Sequence, residues 1–435
     1  MVEPVRTPFI VGRVVPPDKF INRQREICDA VSLLLTGQSL AITGEPRSGK
    51  SSLLHYLKEC RDLYGVGSDR LVFFYADVQS WPDALTRQGF WERAFEPLVQ
   101  AIRQQTPDSS LLETYAACQR EKFGTFGLER FLAQLQEAGW HLVLLLDEFD
   151  VLLHHPVLNS TEFYGGLRSL ASRYGPALTL VIGSRRSLSE LNEATQKYTR
   201  TGSPFFNFVN EIPLRPFERE EALKVLDQAD PPFEEAEREQ VLTLAGGHPY
   251  LLQIAGDALW QARMGGLSRI QRWRSVGEEL LRAADAGLRE IWQGWTPRMR
   301  WAFAIIALDE APLLLGQREF DLEALRPWVE EGCREVRRLR EKGFITEDAQ
   351  SPSGYRVTAK VMLWWLAEEL LAALHSSDDD VDRILAREEW LGLLKRGEVE
   401  AMVNAVQGLG KIVTEGAQGF IKAMAEGFGK AIAKP

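Results

Sequence analysis

One short stretch constrains this chain more than any other. Between Ser39 and Leu57 an apolar run, Leu40-Ala41-Ile42-Thr43, meets the turn Gly44-Glu45-Pro46-Arg47-Ser48-Gly49-Lys50-Ser51. Leu53, Leu54 and Leu57 then follow at helical spacing. The turn matches G-x-x-x-x-G-K-[ST] at every fixed position, and strand-before, helix-after is the setting in which that pattern forms a P-loop. Two glycines let successive backbone N–H groups turn inward around phosphate oxygens, and the helix start adds its positive end. Lys50 supplies a cation for β- and γ-phosphates, and the Ser51 hydroxyl is the expected Mg2+ ligand. Gly44 to Ser52, including Glu45, Pro46, Arg47, Ser48, Gly49 and Ser52, is therefore the expected nucleotide-binding segment.

Four further apolar runs of strand length follow. Leu71–Asp77 is the first, and a mostly helical insert of about 82–138, rich in aromatics, Gln and Glu, comes after it. His141-Leu142-Val143-Leu144-Leu145-Leu146 then runs into Asp147 and Glu148, the pattern of a central parallel strand that ends at a ligand site. Asp147 is expected to hold Mg2+ through water beside Ser51, and Glu148 to polarise the attacking water. Ala177–Ser184 ends in Arg185 and Arg186, where a residue near the γ-phosphate is expected: Arg185, with Ser184 as the alternative. A last run, Phe206–Leu214, completes a parallel α/β sheet with helices on both faces. Ahead of it all, Pro8–Pro17 is too proline-punctuated for a helix and reads as an extended lead-in, followed by a helix from Phe20 through Leu35 that stops at Gly37.

Composition narrows the function classes. The 435 residues carry a formal net charge of -10, which argues against non-specific nucleic-acid binding by the whole protein. Cys28, Cys60, Cys118 and Cys333 form no C-x-x-C pair and lie near no histidine cluster, so neither a zinc site nor a disulfide framework is expected. The N-terminus shows no charged-then-apolar signal pattern and no apolar run reaches membrane-spanning length. The expectation is a cytoplasmic protein, peripheral to the membrane on activation.

From Arg215 the pattern turns helical. Glu218–Gln228, a helix from the Pro231-Pro232 break to Leu244, and a third opening at Gly246-Gly247-His248-Pro249 are expected, with Pro249 suited to the first helical turn. Residues 295–375 read as a winged helix: Trp295–Leu308, a short Leu322–Trp328, Glu331–Lys342, and a hairpin of Phe344–Glu347 with Gly354–Thr358. Arg334, Arg337, Arg338, Arg340 and Lys342 give the third helix the look of a DNA reader. Yet the unit holds 11 Lys/Arg against 13 Asp/Glu, which favours protein packing over DNA.

Beyond an acidic linker at 376–396, the tail repeats every eleven residues: Gly397, Gly408 and Gly419; Lys411 and Lys422; Glu415 and Glu426; Gly416 and Gly427. An eleven-residue period gives about 3.67 residues per turn, a nearly straight helix. On it an apolar stripe (Val399, Met402, Val406, Leu409, Val413), a polar stripe and a small one (Gly397, Ala401, Ala405, Gly408) separate. Each glycine costs about 1 kcal/mol relative to alanine, so ordering needs a partner: a membrane surface, copies of the same tail, or the protein's own body. The rhythm resembles lipid-binding repeats of the synuclein type, without their lysine excess.

In chain order, Phe20–Ile27, the P-loop, Leu142–Glu148, Gly183-Ser184-Arg185 and Gly247-His248-Pro249-Tyr250-Leu251-Leu252-Gln253 resemble the AAA+-related STAND class of signalling ATPases, near its archaeal-ATPase-like branch. The resemblance covers residues 8 to about 375. It implies an α/β P-loop NTPase of AAA+/STAND type followed by a helical lid and a winged-helix domain, to which the repeat adds a C-terminal amphipathic helical tail. It also implies ATP/ADP and Mg2+ as ligands, with catalytic roles for Lys50, Glu148 and Arg185 and metal-holding roles for Ser51 and Asp147. Pro249 would touch the adenine or keep the lid closed. Asn22-Arg23-Gln24 stands where the family usually reads Gly-Arg-Glu, which makes Arg23 a nucleotide-contact candidate. The implied layout is lead-in 1–19, ATPase domain 20–214, lid 215–294, winged helix 295–375, linker 376–396 and tail 397–435. The implied function is a slowly hydrolysing switch that forms homo-oligomers on activation and deploys residues 397–432 to a membrane or to other copies. A DNA-associated, initiator-like AAA+ ATPase is the alternative.

Overall fold

Strand order decides where the ends of the apolar runs meet. β1 (Leu40–Thr43), β2 (Leu71–Asp77), β3 (His141–Asp147), β4 (Leu178–Ser184) and β5 (Asn210–Pro213) form one parallel sheet in the order β2-β3-β4-β1-β5. The chain thus leaves β1 for the far edge at β2, steps back through β3 and β4, and crosses β1 to reach β5. β4 lies between β1 and β3, with Thr43 opposite Ser184 and Leu146 opposite Ile182. The carboxyl ends of β1, β3 and β4 therefore share one crevice, the usual ligand position in an open parallel sheet.

The strands read as unbroken apolar runs because both faces are covered. Leu142, Leu144 and Leu146 join one core with Phe90, Phe95 and Phe131 from α3 (Arg87–Gln105) and α5 (Thr125–Glu137). Val143 and Leu145 join the other with Ile27 of α1 (Gln24–Leu35) and Leu53, Leu54 and Leu57 of α2 (Lys50–Glu59). α4 (Ser110–Arg120) and α6 (Thr161–Arg173) complete the first face, so the insert is helical, and α7 (Leu188–Thr195) follows β4.

The computed structural model describes residues 7–65, 68–106, 110–196, 204–314, 322–329 and 334–375, and beyond them Glu388, Gly397, Glu398, Ala401, Asn404 and Ala405. It divides into a sheet unit, Val14–Glu45 with Gly49–Leu214, and a helical unit, Met1–Arg13 with Pro46–Ser48 and Arg215–Pro435. In the helical unit α8 (Arg219–Leu226), α9 (Glu235–Ala245), α10 (Pro249–Met264), α11 (Arg269–Gly294), α12 (Pro297–Leu314), α13 (Arg334–Glu341) and α14 (Lys360–His375) share one core with the antiparallel pair β6 (Ile345–Glu347) and β7 (Tyr355–Val357). Capping boxes at Glu218/Glu221, Glu234/Glu237 and Ser268/Gln271 start α8, α9 and α11. No helix among the described residues is long and apolar enough to cross a membrane.

Several boundaries differ from the sequence expectation. α1 begins at Gln24 and not Phe20, because Asn22 and Arg23 are left-handed (φ 70° and 62°) and a right-handed helix cannot run through them. β5 begins at Asn210; Phe206, expected in the strand, instead packs edge-on against Phe149 with ring centres 5.7 Å apart. Glu323–Trp328 is a 3-10 turn containing Pro327. The lead-in has no helix or strand among its described residues before Pro17, and part of it is buried. Phe9 is buried in the helical unit, stacked 5.9 Å from Phe233 and lying over Gly256, where a Cβ would come within 2.4 Å of its ring. The Ile10 N–H donates to Gln253 Oε1 at 2.8 Å, while farther on the Val15 N–H donates to Ser52 Oγ at 3.1 Å in the sheet unit.

Of the acidic linker, Glu388 is described: its carboxylate is buried and accepts from Arg300 (2.7 Å) and from the Trp292 indole (2.8 Å). Of the tail repeat, Gly397, Glu398, Ala401, Asn404 and Ala405 are helical, with Ala405 in the core and Ala401 against it. Residues 406–435 of the expected tail lie outside the described residues.

Candidate nucleotide-binding site

The P-loop takes its shape from left-handed residues. Gly49 has φ 97° and Arg47 φ 64°, and the Gly44 N–H donates to Ser184 O at 3.1 Å, tying the loop's first residue to the end of β4. Gly49 caps α2, so Lys50 and Ser51 open that helix, where backbone N–H groups lack intrahelical partners. Lys50 is buried, and its ammonium donates to the carbonyls of Gly44 (3.0 Å) and Glu45 (3.1 Å). Burial lowers its pKa, opposed by the nearby charges of Glu148 and Asp147. Phosphate oxygens at this point would offset that desolvation, so the loop suits an anion.

Asp147 and Glu148 lie at the end of β3 but face different partners. The buried Asp147 carboxylate accepts the Glu148 N–H at Oδ1 (3.0 Å) and the Tyr75 hydroxyl at Oδ2 (3.1 Å). Glu148 is itself left-handed, φ 50°, and its Oε2 accepts from Arg185 Nε at 2.8 Å. Burial raises the Glu148 pKa, with Lys50 and Arg185 pulling it back down. The Arg185 N–H donates to Asp150 Oδ1 at 3.1 Å. One unit therefore brings together Lys50, Ser51, Asp147, Glu148 and Arg185.

Those groups fit a nucleoside triphosphate with Mg2+. Ser51 and Asp147 offer hard oxygen donors, and a small cation that shares phosphates needs only one or two protein ligands. Among the described residues there is no group of three or more His, Cys, Asp or Glu that could hold a metal ion. The remaining expected residues are placed as follows. Ser48 and Glu45 are buried in the loop. Ser52 takes part through the lead-in, accepting from Val15. Pro46 is buried; Arg47 is exposed, within 3.7 Å of Glu290 and 5.5 Å from the Tyr250 ring centre, all in the helical unit. Arg23 is buried and paired with Glu26 at 3.2 Å. Pro249 opens α10 in the helical unit. Tyr75 and Asp150 were not expected at the site. Asp150 follows Glu148 by two residues and was legible as a third acid; Tyr75, inside the apolar run of β2, gave no such signal.

Comparison with known proteins places these features in company. A family model described as an AAA-like domain matches residues 114–271, from α4 into the helical unit. No curated protein matches the sequence. Among solved structures, a Walker-type ATPase of Pyrococcus abyssi is similar with a TM-score of 0.52 at 17% identity, over 83% of this chain and 99% of that one. The ORC2 protein of Aeropyrum pernix, in ADPNP–ADP complexes, gives 0.45 at 17% identity over 83% of this chain and 99% of that one. A STAND protein with a tetratricopeptide-repeat sensor from Pyrococcus horikoshii gives 0.34 at 12% identity, over 94% of this chain and 50% of that one. The fold is that of a P-loop ATPase with an AAA-like domain.

Proposed function

We propose that this chain binds ATP with Mg2+ and hydrolyses it slowly as a molecular switch of the STAND type. The observation that carries the reading is the convergence of Lys50, Ser51, Asp147, Glu148 and Arg185 at the carboxyl ends of β1, β3 and β4. Bound Mg2+ would neutralise charge on the β- and γ-phosphates. Around it, Lys50 exchanges its loop carbonyls for phosphate oxygens, and Ser51 and Asp147 offer ligands. Glu148 orients and deprotonates water once released from Arg185, and Arg185 turns to the γ-phosphate. Slow turnover suits a base that starts the cycle paired.

In this reading the chain is cytoplasmic, residues 215–294 act as lid and 295–375 as winged helix, and activation yields a homo-oligomer that deploys the C-terminal tail. Burial of Glu388 and Ala405 supports a resting state in which the start of the tail is held on the protein's own body. Lys50→Ala is expected to abolish ATP binding in calorimetry. Glu148→Gln is expected to keep binding while turnover falls by about 10²–10⁴-fold, and to give larger particles in light scattering with ATP than with ADP. Wild-type turnover in Glu148→Gln would remove the assigned base.

A second reading is favoured by one feature. α13 exposes Arg334, Arg337 and Arg340 opposite its buried Val336 and Leu339, and Arg356 is exposed on β7. In this reading these side chains would meet phosphates of duplex DNA, although Glu347 pairs with Arg340 and Asp348 lies 4.0 Å from Arg356. Salt-dependent duplex binding lost in Arg334→Ala/Arg337→Ala would support it; no binding at low salt would remove it.

A further inference from the structure

The carboxylate of Asp147 is held on three sides, and two of the holds come from residues with no assigned part in nucleotide chemistry. On one side the Tyr75 hydroxyl donates to Oδ2 at 3.1 Å. On another the Glu148 N–H donates to Oδ1 at 3.0 Å. On the third, Gly183 of β4 leaves the space that Oδ1 occupies: a Cβ there would stand 2.6 Å from Oδ1, 3.1 Å from Leu54 Cδ1 and 3.3 Å from Asp147 Cα. Tyr75 reaches Asp147 because β2 and β3 run in register, Tyr75 opposite Leu145 and Asp77 opposite Asp147, so the long phenol spans one strand step along a shared face. His55, one helical turn beyond Ser51 on α2, packs its ring 4.4 Å from the Tyr75 ring and fixes the direction of the phenol.

We propose that Tyr75 is a positioning residue that orients Asp147 toward the hydration shell of the nucleotide-bound divalent cation. The proposal deepens the ATPase reading and rests on it. One lone-pair direction of each Asp147 oxygen is taken by a protein donor, and the directions left over are those available to metal-bound water. A phenol is a hydrogen-bond donor at neutral pH, and here the Tyr75 hydroxyl is aimed at Asp147 Oδ2. Partners of this outer kind are worth about 10–100-fold in metal affinity where they have been removed from other sites.

The test uses the full chain with ADP bound and Mn2+ as the probe, titrated by electron paramagnetic resonance. Tyr75→Phe keeps the ring and its packing on His55 but removes the hydroxyl. It is expected to weaken Mn2+ binding by about tenfold, with ADP affinity in EDTA and the thermal midpoint unchanged. Gly183→Ala, which displaces the same carboxylate from the opposite side, is expected to weaken Mn2+ binding in the same direction. Asp147→Asn sets the scale for complete loss of the ligand charge. Unchanged Mn2+ affinity in Tyr75→Phe overturns the positioning role while leaving the ATPase reading intact. Equal loss of ADP affinity with and without metal also overturns it, because the hydroxyl would then be supporting the loop and not the cation site. Failure of the wild type to bind ADP overturns the ATPase reading and the proposal with it.

Discussion

Arg185 engages two acids at once at the end of β4: its backbone N–H holds Asp150, and its guanidinium holds Glu148. The second contact fixes how the proposed base titrates. Burial alone would raise the Glu148 pKa, and Lys50 and Arg185 are the charges that lower it again. A base must be ionised to act, so whatever raises its pKa moves the acid limb of the rate profile to higher pH. Arg185→Ala removes one of the two lowering charges. The acid limb of kcat/KM against pH is therefore expected to move upward, measured with a coupled phosphate-release assay. Arg185→Lys restores part of the charge and is expected to fall between the two. An unmoved limb would mean that Glu148 is not the titrating group.

At the scale of elements, legibility followed burial on two faces. β1, β3 and β4 were readable because sheets covered on both sides need continuous apolar runs, and the acids at the end of β3 stood out against the apolar run Leu142–Leu146. What the sequence hid depends on neighbours far along the chain. Tyr75 sits 72 residues from Asp147, and strand order alone brings them together. The start of α1 lies later than Phe20 because Asn22 and Arg23 are both left-handed; Asn22 is a residue type that tolerates this, whereas nothing about Arg23 marks it. The proline-punctuated lead-in gives no sign of burial, yet Phe9 fills a slot floored by Gly256 and walled by Phe233. Phe9→Ala should leave that slot empty and cost the helical unit about 3–5 kcal/mol, read from urea unfolding followed by tryptophan fluorescence. A loss below about 1 kcal/mol would show that the surrounding helices close over the gap.

For the whole molecule, the C-terminal segment is the part whose position bears most on the proposed switch. Glu388 places one carboxylate between the guanidinium of Arg300 and the indole of Trp292, all three buried. Removing one member of a buried ion pair costs about 3–5 kcal/mol, because the remaining charge stays out of water. Glu388→Ala is accordingly expected to destabilise the helical unit by that order and to speed hydrogen exchange in α12. If tail release drives assembly, the variant should also form larger particles in light scattering without ATP. Exchange in α12 at the wild-type rate would show that the pair does not tether the segment.

The two anchors of the lead-in also bear on how the chain is made. Ile10 pairs with Gln253, a separation of 243 residues, whereas the sheet unit is nearly continuous from Val14 to Leu214. At about 5–20 residues per second, a ribosome needs roughly 10–50 s to supply Gln253 after Ile10 has been made. The sheet unit has its last strand only at Pro213, so it can close in roughly the last 2–8 s of that interval, while Phe9 and Ile10 still lack their helices. Their apolar side chains remain in water, open to chaperones and to neighbouring nascent chains. Phe9 and Ile10 thus wait for partners made long after them, and are buried only when those partners arrive.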